Sequence, residues 1–245
     1  QFEMVFSDSN IDLPQDFEEM KTLFETLEPG SGNMLEKFME DAKYKYEVGM
    51  KDFVNKPCFS WTEFFSLKIL KSAFKLNLLS DFRSFVGQYF KNKKLQTLME
   101  FPVIFLGASP SKIPALYSLM NYGGYKLGTY YPLGGFYKII DGMISICKDL
   151  DVKFHNNSPV EKINDENGKV KSIIVNGEEI EFDSVIASCD YHHTDSKLLN
   201  KDAKNYSSEY WKSKTFAPSC LIFYLGIKEK LNIKHHTLFF ENDLD

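Results

Sequence analysis

Tyr130-Tyr131-Pro132-Leu133-Gly134-Gly135-Phe136 opens the stretch on which the fold turns. Helical spacing follows over residues 136–150. Next come Ser158-Pro159-Val160-Glu161-Lys162-Ile163, two short strand-like runs, and Val185-Ile186-Ala187-Ser188-Cys189-Asp190. Asn167-Gly168 and Asn176-Gly177 are hairpin dipeptides, because both central residues of a type I′ turn take positive φ. They separate residues 160–164, 170–175 and 179–182 into a three-stranded meander. Residues 183–188 read as an apolar strand of the kind buried in a parallel sheet. Glycine turn, helix, meander, apolar strand and acidic turn make a mixed α/β pattern.

Upstream, residues 1–13 read as a β-hairpin turning at Ser7-Asp8-Ser9-Asn10. Asp16 caps a helix over 17–27, which Pro29-Gly30 ends. A second helix runs over 34–53, with Leu35, Phe38, Met39, Ala42, Tyr46 and Phe53 near helical spacing and acids and lysines opposite. Residues 59–100 are helical in pattern and very apolar. Lys68, Lys71 and Lys75 share one face there, beside Phe64, Phe65 and Phe74. A lysine face beside a phenylalanine and leucine face suits a membrane-surface helix. A packed helix with solvated lysines accounts for the same residues. Pro102, Gly107, Pro110 and Pro114 break up 101–114, and a further helix ends at Gly123-Gly124. Downstream, helical pieces fall near 195–199 and 207–211, and strands over 220–227 and 237–240.

Composition narrows the classes. A chain of 245 residues holds one large domain or two small ones. With 22 Phe and 13 Tyr the core is aromatic, and a few of these rings suit a pocket for a large apolar ligand. Net charge is −5 without a basic tract, which argues against a nucleic-acid partner. Arg83 is the sole arginine, so bidentate phosphate clamps are nearly unavailable. A dinucleotide would have to be held by backbone N–H groups and helix ends. Cys58, Cys147, Cys189 and Cys220 form no C-x-x-C, which points to a reducing compartment without a disulfide framework. No apolar run reaches the roughly 18 residues of a spanning helix. Both ends fall inside strand-like runs, so the chain reads as an internal piece of a longer protein.

The chemistry centres on Pro132-Leu133-Gly134-Gly135. Pro132 sets φ at the turn entry. Two glycines let the backbone approach a ligand without Cβ atoms in the way, and the free N–H groups of the next helix point there. A flat isoalloxazine or an anionic group would suit; an ordinary tight turn needs no ligand at all. At Ser158-Pro159-Val160 a strand backbone can bond an adenine edge. His192-His193 and His235-His236 are adjacent pairs whose side chains diverge, with no third ligand at metal spacing, so no metal is expected. Gly-x-Ser-x-Gly, a P-loop, His-Glu-x-x-His and Gly-x-Gly-x-x-Gly are all absent. No nucleophile or acid/base pair stands out and the catalytic residues stay unassigned, as when a cofactor carries the hard chemistry.

These residues resemble bacterial-type phytoene (carotenoid) desaturases, within the amine-oxidase-like FAD-dependent oxidoreductases that also include retinol saturases. Tyr131-Pro132-Leu133-Gly134-Gly135 is similar to that family's Tyr-Pro-x-Gly-Gly. Phe105-Leu106-Gly107-Ala108-Ser109-Pro110 and Pro114-Ala115-Leu116-Tyr117 resemble its preceding segment. Asp190-Tyr191-His192-His193-Thr194 resembles its polar turn in Bacteroidetes-type members. The resemblance implies a helix-rich substrate and membrane-docking lobe over 1–129, part of a Rossmann-like FAD-binding domain over 130–190, and a return to the lobe over 191–245. The dinucleotide motif of the family lies outside the chain.

It implies further that Val160, Gly134, Gly135, Ser188, Cys189 and Asp190 meet FAD, and that Tyr131, Phe105, Leu106 and Tyr117 line the substrate path. Phe64, Phe65, Lys68, Lys71, Phe74 and Lys75 would meet the membrane. The implied activity is dehydrogenation of CH–CH groups in a long isoprenoid such as phytoene, with quinone or oxygen as electron acceptor. The implied location is cytoplasmic, peripheral to the inner membrane. The piece itself is expected to bind FAD weakly and to be inactive alone. A retinol-saturase-like or carotenoid-oxygenating flavoenzyme is the rival of the same fold, and a non-catalytic lipid-binding module the rival of another class.

Overall fold

A computed structural model of the chain describes residues 2–54, 59–60, 76–215, 220–234 and 236–240. Its main elements begin with β1 (Phe2–Val5), β2 (Asn10–Leu13), α1 (Phe17–Leu27), α2 (Ser31–Val48), α3 (Phe82–Tyr89) and α4 (Lys93–Glu100). They continue with α5 (Tyr137–Asp149), β3 (Val160–Glu166), β4 (Lys169–Val175), β5 (Glu178–Glu181), α6 (Ser208–Lys212) and β6 (His236–Phe239). Helix and sheet are mixed, as expected. The chain divides into two compact units, one of residues 1–130 and 217–245 and the other of residues 131–216.

In the first unit the expected hairpin forms: β1 pairs antiparallel with β2, and the Phe6 amide closes the turn on the Ser9 carbonyl. On its other side β1 pairs parallel with β6, so strands distant in sequence meet in the order β2-β1-β6. Asp16 caps α1 by accepting from the amides of Glu18 and Glu19 at 2.9 and 3.0 Å. Gly30 takes φ +87°, and the Glu25 carboxylate gathers the Gly30 and Gly32 amides. That turn folds α2 back on α1.

Leu35, Phe38, Met39 and Ala42 are buried on α2, at the helical spacing read from the sequence. Lys45 continues this stripe and is also buried, whereas the sequence reading set lysines on the opposite face and Tyr46 on this one. Phe38 packs on Phe85 and Tyr89 at ring separations of 5.5 and 5.2 Å, and Phe24 on Phe90 at 5.4 Å. Phe24, Phe38, Phe82, Phe85 and Phe90 are core, whereas Phe105, Tyr131, Phe136, Tyr137 and Phe223 are among the rings left exposed. The prolines break up 101–114 as expected, into 3₁₀ segments at Phe101–Leu106 and Pro110–Lys112, because each proline removes a donor; the helix expected from residue 112 or 113 to 121 opens instead as a third, Ala115–Ser118. Gly123-Gly124 does not end the last turn, which runs on as a π-type turn to Leu127.

The second unit holds α5 and the meander β3-β4-β5. Both Asn-Gly dipeptides form the expected turns, with φ of 54° and 75° at Asn167-Gly168 and 52° and 79° at Asn176-Gly177. Residues 183–188, read as a buried strand, are irregular, and Ile186 is 96% exposed. Residues 220–227, also read as a strand, are irregular and exposed. The cause is the same in both: neither segment finds a neighbouring strand among the described residues, and an extended chain is a strand only when its N–H and C=O groups are paired.

Candidate functional site

The Pro132–Gly135 turn is built as its residues require. The Gly135 amide closes on the Pro132 carbonyl at 3.0 Å, and Gly134 and Gly135 take φ of +83° and +92°, where a side chain is strained. A Cβ on Gly135 would stand 3.4 Å from the Tyr131 hydroxyl oxygen. Tyr131 meets the Phe136 ring edge to face at 4.9 Å. The Lys138 and Ile139 amides bond back to Gly135 and Phe136, so the first turn of α5 is tightened. Among the described contacts the Phe136 and Tyr137 amides take no backbone acceptor, which leaves donors beside a surface without Cβ atoms.

Val160 begins β3, the edge strand of the meander, and is partly exposed. It pairs with Val175, and a bulge follows it before Lys162. Ser188 and Cys189 lie in the irregular approach to the acidic turn. Asp190 caps that turn: its carboxylate accepts the His193 amide at 2.7 Å and its carbonyl accepts the Thr194 amide at 2.9 Å. The Cys189 sulfur lies 3.1 Å from the Thr194 hydroxyl.

In the first unit Phe105 is 75% exposed and lies edge to face on Phe101, Leu106 is exposed, and Tyr117 packs on the core. A shallow pocket of about 250 Å³ is lined by Phe2, Asp12, Leu13, Pro14, Glu19, Leu23 and Lys234. It holds none of the expected substrate residues and falls below the usual range of small-molecule sites. Phe64, Phe65, Lys68, Lys71, Phe74 and Lys75 lie outside the described residues. Among the described residues no helix is long and apolar enough to cross a membrane.

Two polar centres escaped the sequence reading. Lys45 Nζ lies 2.6 Å from Asp41 Oδ2, donates to the Ala115 carbonyl at 3.3 Å, and stands 3.7 Å over the Phe85 ring. The Asp41 contact is a charge contact outside hydrogen-bonding angles. Burial pulls the Lys45 amine below its usual range, and Asp41 offsets this only in part. The spacing of Lys45 from Phe38 and Ala42 was the available signal. In the second unit the buried Asp195 carboxylate accepts from Trp211 Nε1 at 2.9 Å and the Asn205 amide at 2.8 Å. Burial pushes this carboxyl up, and those hydrogen bonds more than offset it, holding it below its usual value. No spacing in the sequence announces that contact.

The mixed fold and the glycine turn before a helix are compatible with a flavin-binding protein. The chain is a member of the flavin-containing amine oxidoreductases, which match residues 6–235. It is 32% identical to carotenoid 3,4-desaturase of Haloarcula japonica, across 100% of this chain and 50% of that protein. It is 26% identical to 4,4'-diapophytoene desaturase (4,4'-diaponeurosporene-forming) of Staphylococcus aureus, across 96% of this chain and 48% of that protein. The chain thus spans about half the length of these curated relatives. A solved oxidoreductase from Methanosarcina mazei shares 22% identity at a TM-score of 0.34, over 51% of this chain and 33% of that one.

FAD is the cofactor that membership implies. The described residues fit its two ends: a glycine turn free of Cβ atoms for a flat ring, and an edge-strand backbone at Val160 for adenine. They contain no glycine-rich loop for its pyrophosphate.

Proposed function

We propose that this chain serves in an FAD-dependent desaturase that dehydrogenates CH–CH groups of a long isoprenoid in carotenoid biosynthesis. Collinear similarity to two carotenoid-pathway desaturases over at least 96% of the chain supports this reading and carries it. When bound, FAD would supply the hydride acceptor for this dehydrogenation, with a proton lost from the neighbouring carbon and a quinone or oxygen as final electron acceptor.

The chain's own part is binding and orientation. Gly134 and Gly135 admit the ring against bare backbone, and the amides at the start of α5 face electron-rich atoms. The Val160 backbone receives adenine, while Ser188, Cys189 and Asp190 close the far side. Tyr131 beside the glycine turn and, in the first unit, Phe105, Leu106 and Tyr117 are each assigned to contact the apolar substrate, which keeps water from the reacting carbons. Residues 1–129 act as the substrate and docking lobe, 130–190 as part of the flavin domain, and 191–245 as the return. The protein works at the cytoplasmic face of the membrane, where its substrate is dissolved.

The test is conversion of phytoene or 4,4'-diapophytoene by the full polypeptide with liposomes, read by the flavin absorbance band and by loss of one hydrogen pair per step. A polypeptide that binds the isoprenoid without flavin is a lipid-binding module, and the proposal fails. Addition of hydrogen to retinol, or oxygen in the product, selects the rival flavoenzymes of the same fold.

A further inference from the structure

Residues 191–214 gather five rings at one place in the second unit. Tyr206 stacks on Tyr210 at 4.1 Å and 11°, and Trp211 meets Tyr191, Tyr206 and His192 at 5.6, 5.4 and 5.0 Å. Tyr191 is 54% exposed, and Tyr206, Tyr210 and Trp211 are half-buried. The indole N–H is already satisfied by buried Asp195. What the cluster presents to water is thus ring carbon and tyrosine hydroxyls.

The charge around these rings runs against that of the chain. Lys197, Lys201, Lys204, Lys212 and Lys214 are exposed, against the exposed carboxylates Asp190, Asp202 and Glu209, in a chain whose net charge is −5. Lys214 stands 4.2 Å over the Tyr210 ring.

We propose that Tyr191, Tyr206, Tyr210 and Trp211, with Lys212 and Lys214, form a docking patch for an anionic lipid interface. Tyrosine and tryptophan settle at headgroup depth because one end is apolar and the other wet. Lysines flanking them gain from anionic headgroups. The inference rests on the reading of the protein as a membrane-surface enzyme, and it places a contact on residues distinct from 64–75.

Within this chain Trp61→Phe leaves Trp211 as the single tryptophan. Phosphatidylglycerol vesicles carrying acyl-brominated lipid should then quench Trp211 emission, and neutral phosphatidylcholine vesicles should not. Lys212→Gln with Lys214→Gln, at unchanged far-UV dichroism, should weaken partitioning about fivefold for each lysine. Co-sedimentation with the anionic vesicles but an unquenched Trp211 means that another surface docks, which overturns the patch and leaves the membrane reading standing. Equal quenching by neutral vesicles, or unchanged partitioning of the double variant, also overturns it. No sedimentation at all overturns both.

Discussion

Asp41→Ala and Lys45→Met remove opposite halves of one buried contact, and they should cost very different amounts. Lys45 is wholly buried, 2.6 Å from an Asp41 side chain that keeps 25% of its exposure. Alanine at 41 strands a cation with only the Ala115 carbonyl and the Phe85 ring beside it. Breaking a buried pair from one side costs about 3–5 kcal/mol. Water reaches the Asp41 side and screens the contact, which brings the cost to or just below the bottom of that range, about 2–3 kcal/mol. Methionine at 45 keeps the length and removes the charge. Replacing a buried pair by packed apolar groups is neutral or stabilising by about 1–4 kcal/mol, and leaving the Ala115 carbonyl unpaired costs about 1–3 kcal/mol. The two nearly cancel, so Lys45→Met should lie within about 1 kcal/mol of the parent.

Urea unfolding followed by far-UV dichroism reads the difference. With a slope of about 1–3 kcal/mol per molar, Asp41→Ala should lose on the order of 1 M in midpoint and Lys45→Met little. The alkaline limb adds a signature. Burial lowers the folded-state value of Lys45 below its unfolded value of about 10.4. The unfolded chain therefore binds more protons between the two values, and stability rises with pH across that window. It is fully gained above the unfolded value and lost as pH falls through the folded one. Lys45→Met should flatten that rise. Equal midpoints for parent and Asp41→Ala, or a Lys45→Met as damaged as Asp41→Ala, would refute the reasoning.

Three further outcomes are expected. Glu28 accepts the Lys91 and Asn92 amides at 2.9 and 2.7 Å, tying α1 to the start of α4; Glu28→Ala should lower the urea midpoint by about 1–3 kcal/mol equivalent. Asp195→Asn should remove an acid-side loss of stability, because a carboxyl held low stabilises above its unfolded value of about 3.9 and loses this as pH falls through its folded value; Trp211 emission against pH shows it. Gly135→Ala, forced to φ +92° with its Cβ 3.4 Å from the Tyr131 hydroxyl, should lower the flavin content of the full polypeptide, read by absorbance per mole of protein, while Gly142→Ala in the open body of α5 should not.

What was legible follows from how local each signal is. The Asn-Gly turns need only their own φ values, so the meander could be read residue by residue. The α2 stripe needs only helical spacing, and four of its five described positions are buried. Lys45 was misplaced because charge suggested solvent, whereas Asp41 one turn earlier and the Phe85 ring make burial tolerable. Residues 183–188 and 220–227 failed for a different reason. Alternating or continuous apolar residues describe what a strand would bury, and they say nothing about whether a partner strand is at hand.

The same distinction explains why the candidate site offers no side chain to blame for catalysis. Its expected contacts are bare glycine backbone at 134–135, strand backbone at Val160, and a capping aspartate whose carboxylate is engaged by the His193 amide. A site made of backbone is specified by φ angles and by the absence of Cβ atoms, and the reacting group is brought by the cofactor. Side-chain deletions at Ser188 or Cys189 should then matter less than a single methyl at Gly135. If Ser188→Ala emptied the flavin and Gly135→Ala did not, recognition would run through side chains, and the assignment of the glycine turn to the flavin ring would be wrong.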